Sequence, residues 1–391
     1  MTGPVSTCCQ REAEMVRPGD QPTLLTLGVE EEFLLVDPET LQPAGSGVAV
    51  SRVRHGGDEG EVHPELAPAQ IEAASSVCRD LHELRRTLIQ LRMELATAAA
   101  EHGWRLAAIG AAPTGQPGPP PVTDTPRYRR IYAEYGPIVE EQGVCGCHVH
   151  VGTPDLESSL RASNWLRPWL PALLLVTTNS PFYRGVDTGY ASWRFALWSR
   201  LPTARPAPHV TSVAHYRGIL DCLLASGMVI DPGMLYWYAR PSAHVPTLEV
   251  RVADAAATVD EAVLLAGLTR ASVTAALAPD DRLRGPENVD DQMLWAACWR
   301  AARDGLEGDA LDATTGRLIP AWQLLTGLVE HLRPVLEDNG DLELVTQLLQ
   351  TLRARGSAAS RQRSVYGRRF DIRDVVDHAV TETCRTRASR P

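Results

Sequence analysis

The chain has 391 residues, of which 44% are hydrophobic and 22% are charged, and its formal net charge is −10 at pH 7. This length and hydrophobic content allow a substantial core, whereas the negative charge argues against a general surface for nucleic acid or anionic membranes. All 38 basic residues are arginines, which excludes a P-loop, Schiff-base chemistry and a lysine general base.

The N-terminal segment 1–21 is polar and interrupted by prolines and a glycine. This pattern is neither a signal peptide nor a membrane anchor, and we expect a disordered tail followed by a single domain over 22–391. The longest apolar stretch, 165–176, is too short to cross a bilayer. The eight cysteines are scattered without a CxxC pair, which indicates reduced thiols in a cytoplasmic protein.

The first half of the chain alternates between strand and helix patterns. In chain order we predict a strand at 24–36, a loop at 46–62, a helix at 80–103, a strand at 105–109 and a helix at 126–141. The helix at 80–103 has the clearest pattern, because leucines recur at helical spacing after a capping-box pair, Asp80 and Glu83.

After residue 258 the pattern becomes almost wholly helical, and the segments between 145 and 258 are mixed. The patterns predict a strand at 145–152, a partly helical segment at 157–178, a long ordered loop at 179–208, a strand at 247–253, and helices at 259–278, 289–304, 318–336, 340–355 and 371–385. Strands with acidic residues come first and helices come later, which predicts an α+β architecture on a mostly antiparallel sheet. A Rossmann fold is not indicated, because no GxGxxG motif follows a strand.

The first strand places two carboxylates side by side. On a strand, Glu30 and Glu32 share one face, while Val29, Glu31 and Phe33 share the other. Two adjacent carboxylates repel each other unless water or a cation lies between them, and hard divalent cations such as Mg²⁺ take ligands of this kind. A solvated edge strand is the alternative interpretation.

The strand around 247–254 has an apolar face and a polar face. Glu249 and Arg251 lie together on the polar face. They could form a simple ion pair, or they could hold a metal ion and a phosphate oxygen, since arginine suits phosphate recognition.

Two histidines alternate on the strand at 145–152. His148 and His150 share a face and could bind zinc, but no HExxH motif or Cys/His set completes such a site. They could instead lie beside magnesium-bound phosphates as a ligand or a donor. A structural role is equally compatible with the pattern.

Two further segments carry weaker signals. Glu65 and Glu72 share a face if their backbone is helical and point in opposite directions on a straight strand, while Pro68 argues against a long regular element. The loop at 179–208 could bind a carboxylate substrate or be ordinary packing, and it contains Arg184, Arg194 and Arg200. Acids on strand-like segments, two histidines and several arginines together predict a multi-metal site that handles phosphate.

Several segments, in order, resemble one known family, the type 2 glutamate–cysteine ligases. They are GVEEEFLLVD, the Glu65 to Cys78 segment, CGCHVHVG, NSPFYRGVDTGYASWR, RPSAHVPTLEVRVAD and, at 356–363, GSAASRQR. The matching segments run from about residue 24 to 385, nearly the whole chain. Five or more motifs in the family's order are far more specific than any one of them.

The resemblance implies a glutamine-synthetase-like fold, in which a mostly antiparallel sheet holds ATP and Mg²⁺, with helices on its outer side and a helical C-terminal part. It implies weak glutamate–cysteine ligase activity on small amino-acid substrates, and a homo-oligomer, such as a dimer. By motif position, the metal ligands would be Glu30, Glu32, Glu65, Glu72, His148 and Glu249. The nucleotide would contact Glu30, His148, His150 and Arg251. Catalysis would fall to Glu249 and Arg251, and the substrate carboxylate to Arg194 and Arg240.

The chain departs from the family pattern in two places. Ser75 and Ser76 stand where the family commonly has Thr-Pro, and Tyr238 stands where an acidic residue is frequent. Both could lie near the amino-acid pocket, so the acceptor amine stays open. The expected reaction forms an acyl phosphate from ATP and glutamate, which an amine then attacks. The alternatives are a ligase for another carboxylate or amine, a phosphotransferase on the same fold, a non-catalytic binding protein, and a zinc hydrolase using the two histidines.

Overall fold

The structure, a computed structural model, describes residues 24–52, 60–115, 122–140, 143–285 and 289–385, so the tail predicted at 1–21 lies outside the described residues. The strands are β1 Leu27–Val36, β2 Gly60–Pro64, β3 Gln70–Ser75, β4 Arg105–Ala107, β5 Gly146–Gly152, β6 Phe182–Tyr183, β7 Val186–Asp187, β8 Ala239–Pro241, β9 Thr247–Asp254, β10 Asp309–Asp312 and β11 Arg317–Pro320. The helices are α1 Gly47–Ser51, α2 Leu81–Glu101, α3 Pro126–Tyr135, α4 Pro137–Glu140, α5 Leu156–Leu166, α6 Leu170–Val176, α7 Trp193–Trp198, α8 Val213–Ala225, α9 Val259–Leu277, α10 Asp291–Asp304, α11 Ala321–Asp338, α12 Leu342–Arg355, α13 Ala358–Arg369 and α14 Ile372–Thr383.

A seven-stranded sheet organises the molecule. Its order is β2-β3-β1-β5-β9-β8, with β4 pairing the end of β1, and every pairing is antiparallel. Leu248, Val250 and Val252 of β9 are fully buried on the face that packs against helices α5, α6 and α9. The opposite face of the same strands carries the polar residues, so the alternation predicted from the sequence separates core from site.

Helix α9 lies at the centre of the helical layer. A capping box of Thr258 and Glu261 starts it, and helices α2, α5, α11 and α12 pack around it. It is apolar on nearly every side because it is enclosed on nearly every side. Among the described helices, none combines the length and the apolar character that crossing a membrane requires.

Most predicted elements are present, and the differences have local causes. The segment 46–62, predicted as a loop, contains α1 and the start of β2. The predicted loop 179–208 contains the β6–β7 hairpin and α7. Helices α8 and α13 were not predicted, because α8 has no buried residue to produce a periodic apolar stripe and α13 is rich in arginine and serine.

Candidate active site

Four neighbouring strands, β3, β1, β5 and β9, bring most of the predicted residues to one face of the sheet. The register places Glu30 of β1 opposite His148 of β5, and Glu32 of β1 opposite Glu72 of β3. It also places His150 of β5 opposite Glu249 of β9. Cross-strand partners point to the same face, so carboxylates and imidazoles that are far apart in sequence become neighbours.

Glu30 lies between the two histidines. Its carboxylate oxygens are 3.2 Å from Nδ1 of His148 and 3.1 Å from Nε2 of His150. Burial alone would raise the pKa of Glu30, but the hydrogen bonds and charges of both histidines hold it well below its usual value. The other ring nitrogen of His150 is 2.8 Å from Oγ1 of Thr247, which orients the imidazole and was not predicted.

Glu249 is held by two arginines. Arg240 donates to it from Nε at 2.8 Å and from Nη2 at 3.3 Å, and Arg251 donates from Nη1. These cations, with His150, outweigh burial and hold the pKa of Glu249 far below its usual value. The Nη1 of Arg240 also donates to the carbonyl oxygens of Gly233 and Leu235 at 2.7 and 2.8 Å. The geometry favours Arg240 as a support for Glu249, and its predicted contact with a substrate carboxylate stays a prediction.

Glu65 and Glu72 join the same cluster from different backbone segments. Glu72 is on β3, while Glu65 precedes the strand and accepts a 2.7 Å hydrogen bond from the amide of Leu66. Burial and the charge of Glu32 raise the pKa of Glu65 to about 7. Burial and the charges of Glu30, Glu65 and Glu32 raise the pKa of Glu72 well above its usual value. Crowded carboxylates of this kind favour a cation among them.

The donor atoms form two candidate metal sets that share His148. One set is Glu30, His148 and Glu249, and the other is Glu32, Glu72 and His148, with the ligand atoms of each set within 4.8 Å of one another. Most of these donors are carboxylate oxygens, which fit a hard divalent cation such as Mg²⁺ better than the sulfur and nitrogen sets typical of zinc. Glu65 lies outside both sets but is electrostatically coupled to them.

Magnesium affinity is expected to rise with pH between about 4.5 and about 7. A carboxyl group with a raised folded-state pKa binds more protons folded than unfolded, so metal-free stability should fall as pH rises through this interval, and Mg²⁺ should displace protons. The measurement is the thermal unfolding midpoint with and without Mg²⁺ at about pH 5 and about pH 8. Equal stabilisation by Mg²⁺ at both pH values would contradict this prediction.

Arg194 approaches the polar face above a glycine. Its guanidinium stacks on Trp198, 4.8 Å from the ring centroid, and Nη2 donates to the Arg251 carbonyl oxygen at 3.4 Å. A Cβ on Gly146 would lie 2.3 Å from this Nη2 and 2.9 Å from Nε2 of His148. Among the described residues, Nε and Nη1 of Arg194 and Nε2 of His148 have no hydrogen-bond partner although they are buried. The predicted contact of Arg194 with a substrate carboxylate stays a prediction, and its two unpaired nitrogens are the atoms that such a group would meet.

The substitution Gly146→Ala is expected to lower activity by about 100-fold, because a displacement of about 1 Å in a positioned group can have this effect. The new methyl group must move Arg194 or His148. Gly218→Ala in α8 is the matched control, since among the described residues nothing lies within 4 Å of a Cβ built there. ADP release and thermal unfolding should be measured for both variants. An active Gly146→Ala protein would show that the close approach has no functional role.

Two tyrosines that were not predicted border the same face. The Arg251 guanidinium lies 6.0 Å from the ring centroid of Tyr236. Burial and the charge of Glu65 raise the pKa of Tyr128 on α3. Both tyrosines pack against a hydrophobic cluster outside the main core, built from Ile131, Val139, Val229 and Met234. Their positions depend on packing between distant segments, which no local pattern indicates.

Three other positions singled out in the sequence belong to neither candidate metal set. Arg200 donates to the Leu197 carbonyl oxygen at 3.2 Å, and Arg184 lies over the Tyr183 ring. Tyr238 is fully buried and stacks on Trp198 at 5.3 Å between ring centroids. Tyr238 therefore packs against the ring on which Arg194 also stacks.

Comparisons with known proteins match one family along nearly the whole chain. Residues 26–381 match the model of the glutamate–cysteine ligase family 2. The Saccharopolyspora erythraea protein named "Putative glutamate--cysteine ligase 2-1" is 64% identical over 359 residues, covering 92% of this chain and 95% of its own length. A Nocardia farcinica protein of the same name is 47% identical and covers 90% of this chain and 91% of its own length.

Solved structures support the fold at low sequence identity. A Francisella tularensis glutamate–cysteine ligase in complex with AMP has a TM-score of 0.65 and 12% identity, covering 92% of this chain and 88% of its own. A Pasteurella multocida bifunctional glutathione synthetase has a TM-score of 0.63 and 15% identity, covering 92% and 52%. These likenesses confirm the predicted α+β fold with its mostly antiparallel sheet. By the family match and the identity of its relatives, the chain belongs to glutamate–cysteine ligase family 2.

Proposed function

We propose that this protein is an ATP- and Mg²⁺-dependent carboxylate–amine ligase that joins glutamate to cysteine or to another small amine. The observation that carries the proposal is the polar face on which two carboxylate–histidine sets lie beside two guanidinium groups, the buried one of Arg194 and that of Arg251, whose side chain is 13% exposed. Phosphoryl transfer requires positioning and charge neutralisation more than covalent help from the protein. The face offers both.

Each group of the proposed site has a role that follows from its contacts. The two sets that share His148 would hold Mg²⁺, which when bound would neutralise phosphate charge and polarise the terminal phosphoryl group. Arg240 and Arg251 both donate to Glu249, and Arg251 would also contact the transferred phosphate. The buried Arg194 would bind a substrate carboxylate or phosphate oxygen through its unpaired nitrogens.

The proposed reaction has two steps. A carboxylate oxygen of the donor substrate bonds to the terminal phosphorus of ATP, the bond to ADP breaks, and an acyl phosphate forms. An amine then bonds to the acyl carbon, the bond to phosphate breaks, and the amine loses a proton. A phosphotransferase would stop after the first step, so the amide product separates the two functions. We further propose a cytoplasmic homo-oligomer with one catalytic domain over 22–391.

The test is ADP release with ATP and Mg²⁺, first with glutamate alone and then with glutamate plus cysteine or a panel of amines. We expect ADP release that depends on both substrates and an amide seen by mass spectrometry. A phosphorylated product without amide would favour the phosphotransferase. If Zn²⁺ but not Mg²⁺ restores activity to the chelator-treated protein, the result would favour the zinc hydrolase. Nucleotide binding without any turnover would favour a non-catalytic protein.

A further inference from the structure

A buried carboxylate at the end of β9 lies outside both candidate metal sets. Asp254 is fully buried and follows Arg251 by three residues. It accepts hydrogen bonds from the Asn179 amide at 3.0 Å, from Oγ of Ser180 at 2.7 Å and from Oγ of Ser192 at 2.6 Å. All three donors belong to the two ends of the segment 179–194, which carries Arg194. Asp254 thus closes this segment at its base.

The two serines carry the constraint from Asp254 to the backbone of Arg194. Ser180 accepts a 3.0 Å hydrogen bond at Oγ from the amide of Arg194 itself. Ser192 is the N-cap of α7 and accepts from the amide of Phe195 at 3.2 Å. Each hydroxyl donates to Asp254 and accepts from a backbone amide. Because a carboxylate can only accept, it fixes the direction of both series of hydrogen bonds. An amide in its place would put a donor against a hydroxyl.

A second anchor fixes the first residue of the segment. Nδ2 of Asn179 donates to the carbonyl oxygens of Ala108 and Ala255 at 3.0 and 2.8 Å. Nε2 of Gln362, on α13, donates to Oδ1 of Asn179 at 2.7 Å. A Cβ on Gly110 would lie 2.7 Å from Asp254, so the carboxylate is enclosed and has little freedom to shift. These contacts therefore fix the base of the segment beside the Arg194 backbone.

We propose that Asp254 is a positioning residue that sets the backbone of Arg194, so that the guanidinium group, which packs on Gly146 through Nη2, keeps its unpaired Nε and Nη1 for the anion position of the site. The assignment of that anion position rests on the proposed function. A network that merely stabilised the segment would lower the stability of the protein without acting through Arg194. The two roles therefore differ in whether the effect of Asp254 depends on the Arg194 side chain.

The experiment is a double-mutant cycle of Asp254→Asn and Arg194→Gln. We measure kcat and KM for glutamate, the proposed carboxylate substrate, by ADP release at saturating ATP and Mg²⁺. Asp254→Asn is expected to lower kcat/KM by about 10-fold when Arg194 is present, as is typical for residues that orient a functional group, and to have no further effect in the Arg194→Gln protein. Asp187→Asn is the control, because Asp187 lies on the same segment but pairs with Arg363 of α13, and this change should leave kcat/KM unchanged. Equal losses in both backgrounds would overturn the proposal.

A substitute variant and a binding measurement make the result interpretable. If Asp254→Asn does not fold, Ser180→Ala takes its place in the cycle, because it removes the link to the Arg194 amide and leaves the carboxylate intact. Binding of inorganic phosphate, measured by calorimetry on the same proteins, requires no turnover. A wild type that releases no ADP but shows the same coupling in phosphate binding would refute the proposed function and support the positioning role. If Arg194→Gln changes neither phosphate binding nor turnover relative to the wild type, the positioning role is overturned.

Discussion

Replacing Glu249 with glutamine is expected to lower kcat for ADP formation by about 100- to 1,000-fold, whichever amine is supplied, in the range typical for loss of one electrostatic contact to a transition state. Glu249 belongs to a candidate metal set and is also the acceptor for Arg240 and Arg251. Glutamine keeps the shape but removes the charge. This one change should therefore weaken Mg²⁺ binding and also disturb the orientation of Arg251.

The same experiment should include Glu30→Gln, because Glu30 completes that metal set from the neighbouring strand. Both variants should need more Mg²⁺ for half-maximal activity, since each loses an anionic ligand. The control is Glu61→Gln on β2, an exposed residue of the same sheet that pairs with His63. Normal ADP formation by both Glu249→Gln and Glu30→Gln, with Glu61→Gln unchanged, would refute the proposed site.

The part of this site that was predictable is the part that a single strand determines. The period of two places Glu30 with Glu32 and His148 with His150 on shared faces, whatever the strands pair with. The structure shows both pairs on the polar face. The antiparallel α+β architecture followed in the same way from the order of strand and helix patterns.

What the sequence did not provide is the register between strands. Whether Glu32 faces Glu72, and whether His150 faces Glu249, depends on pairing between segments up to about a hundred residues apart. The relation of Glu65 to Glu72 stayed ambiguous because one is on a strand and the other precedes it. The carbonyl contacts of Arg240 come from the turn before β8, so its engagement was hidden as well.

Replacing Arg251 with glutamine is the second change with a large expected effect. We expect kcat to fall by about 100- to 1,000-fold, because a buried cation beside the proposed phosphate position is lost. Arg251→Lys keeps the charge and loses the planar fork and the contact with the Tyr236 ring. It should therefore be intermediate. The measurement is kcat together with KM for ATP.

The Mg²⁺ dependence distinguishes this change from loss of a metal ligand. Arg251 repels a nearby cation, so its removal should leave the Mg²⁺ concentration for half-maximal activity equal or lower, whereas Glu249→Gln should raise it. Thermal unfolding is the accompanying control, because removing one partner of a buried ion pair can destabilise by about 3–5 kcal/mol. A folded Arg251→Gln protein with an unchanged kcat would place the transferred phosphate elsewhere on the sheet. A raised Mg²⁺ requirement would instead indicate that Arg251 acts by holding Glu249 in its ligand position.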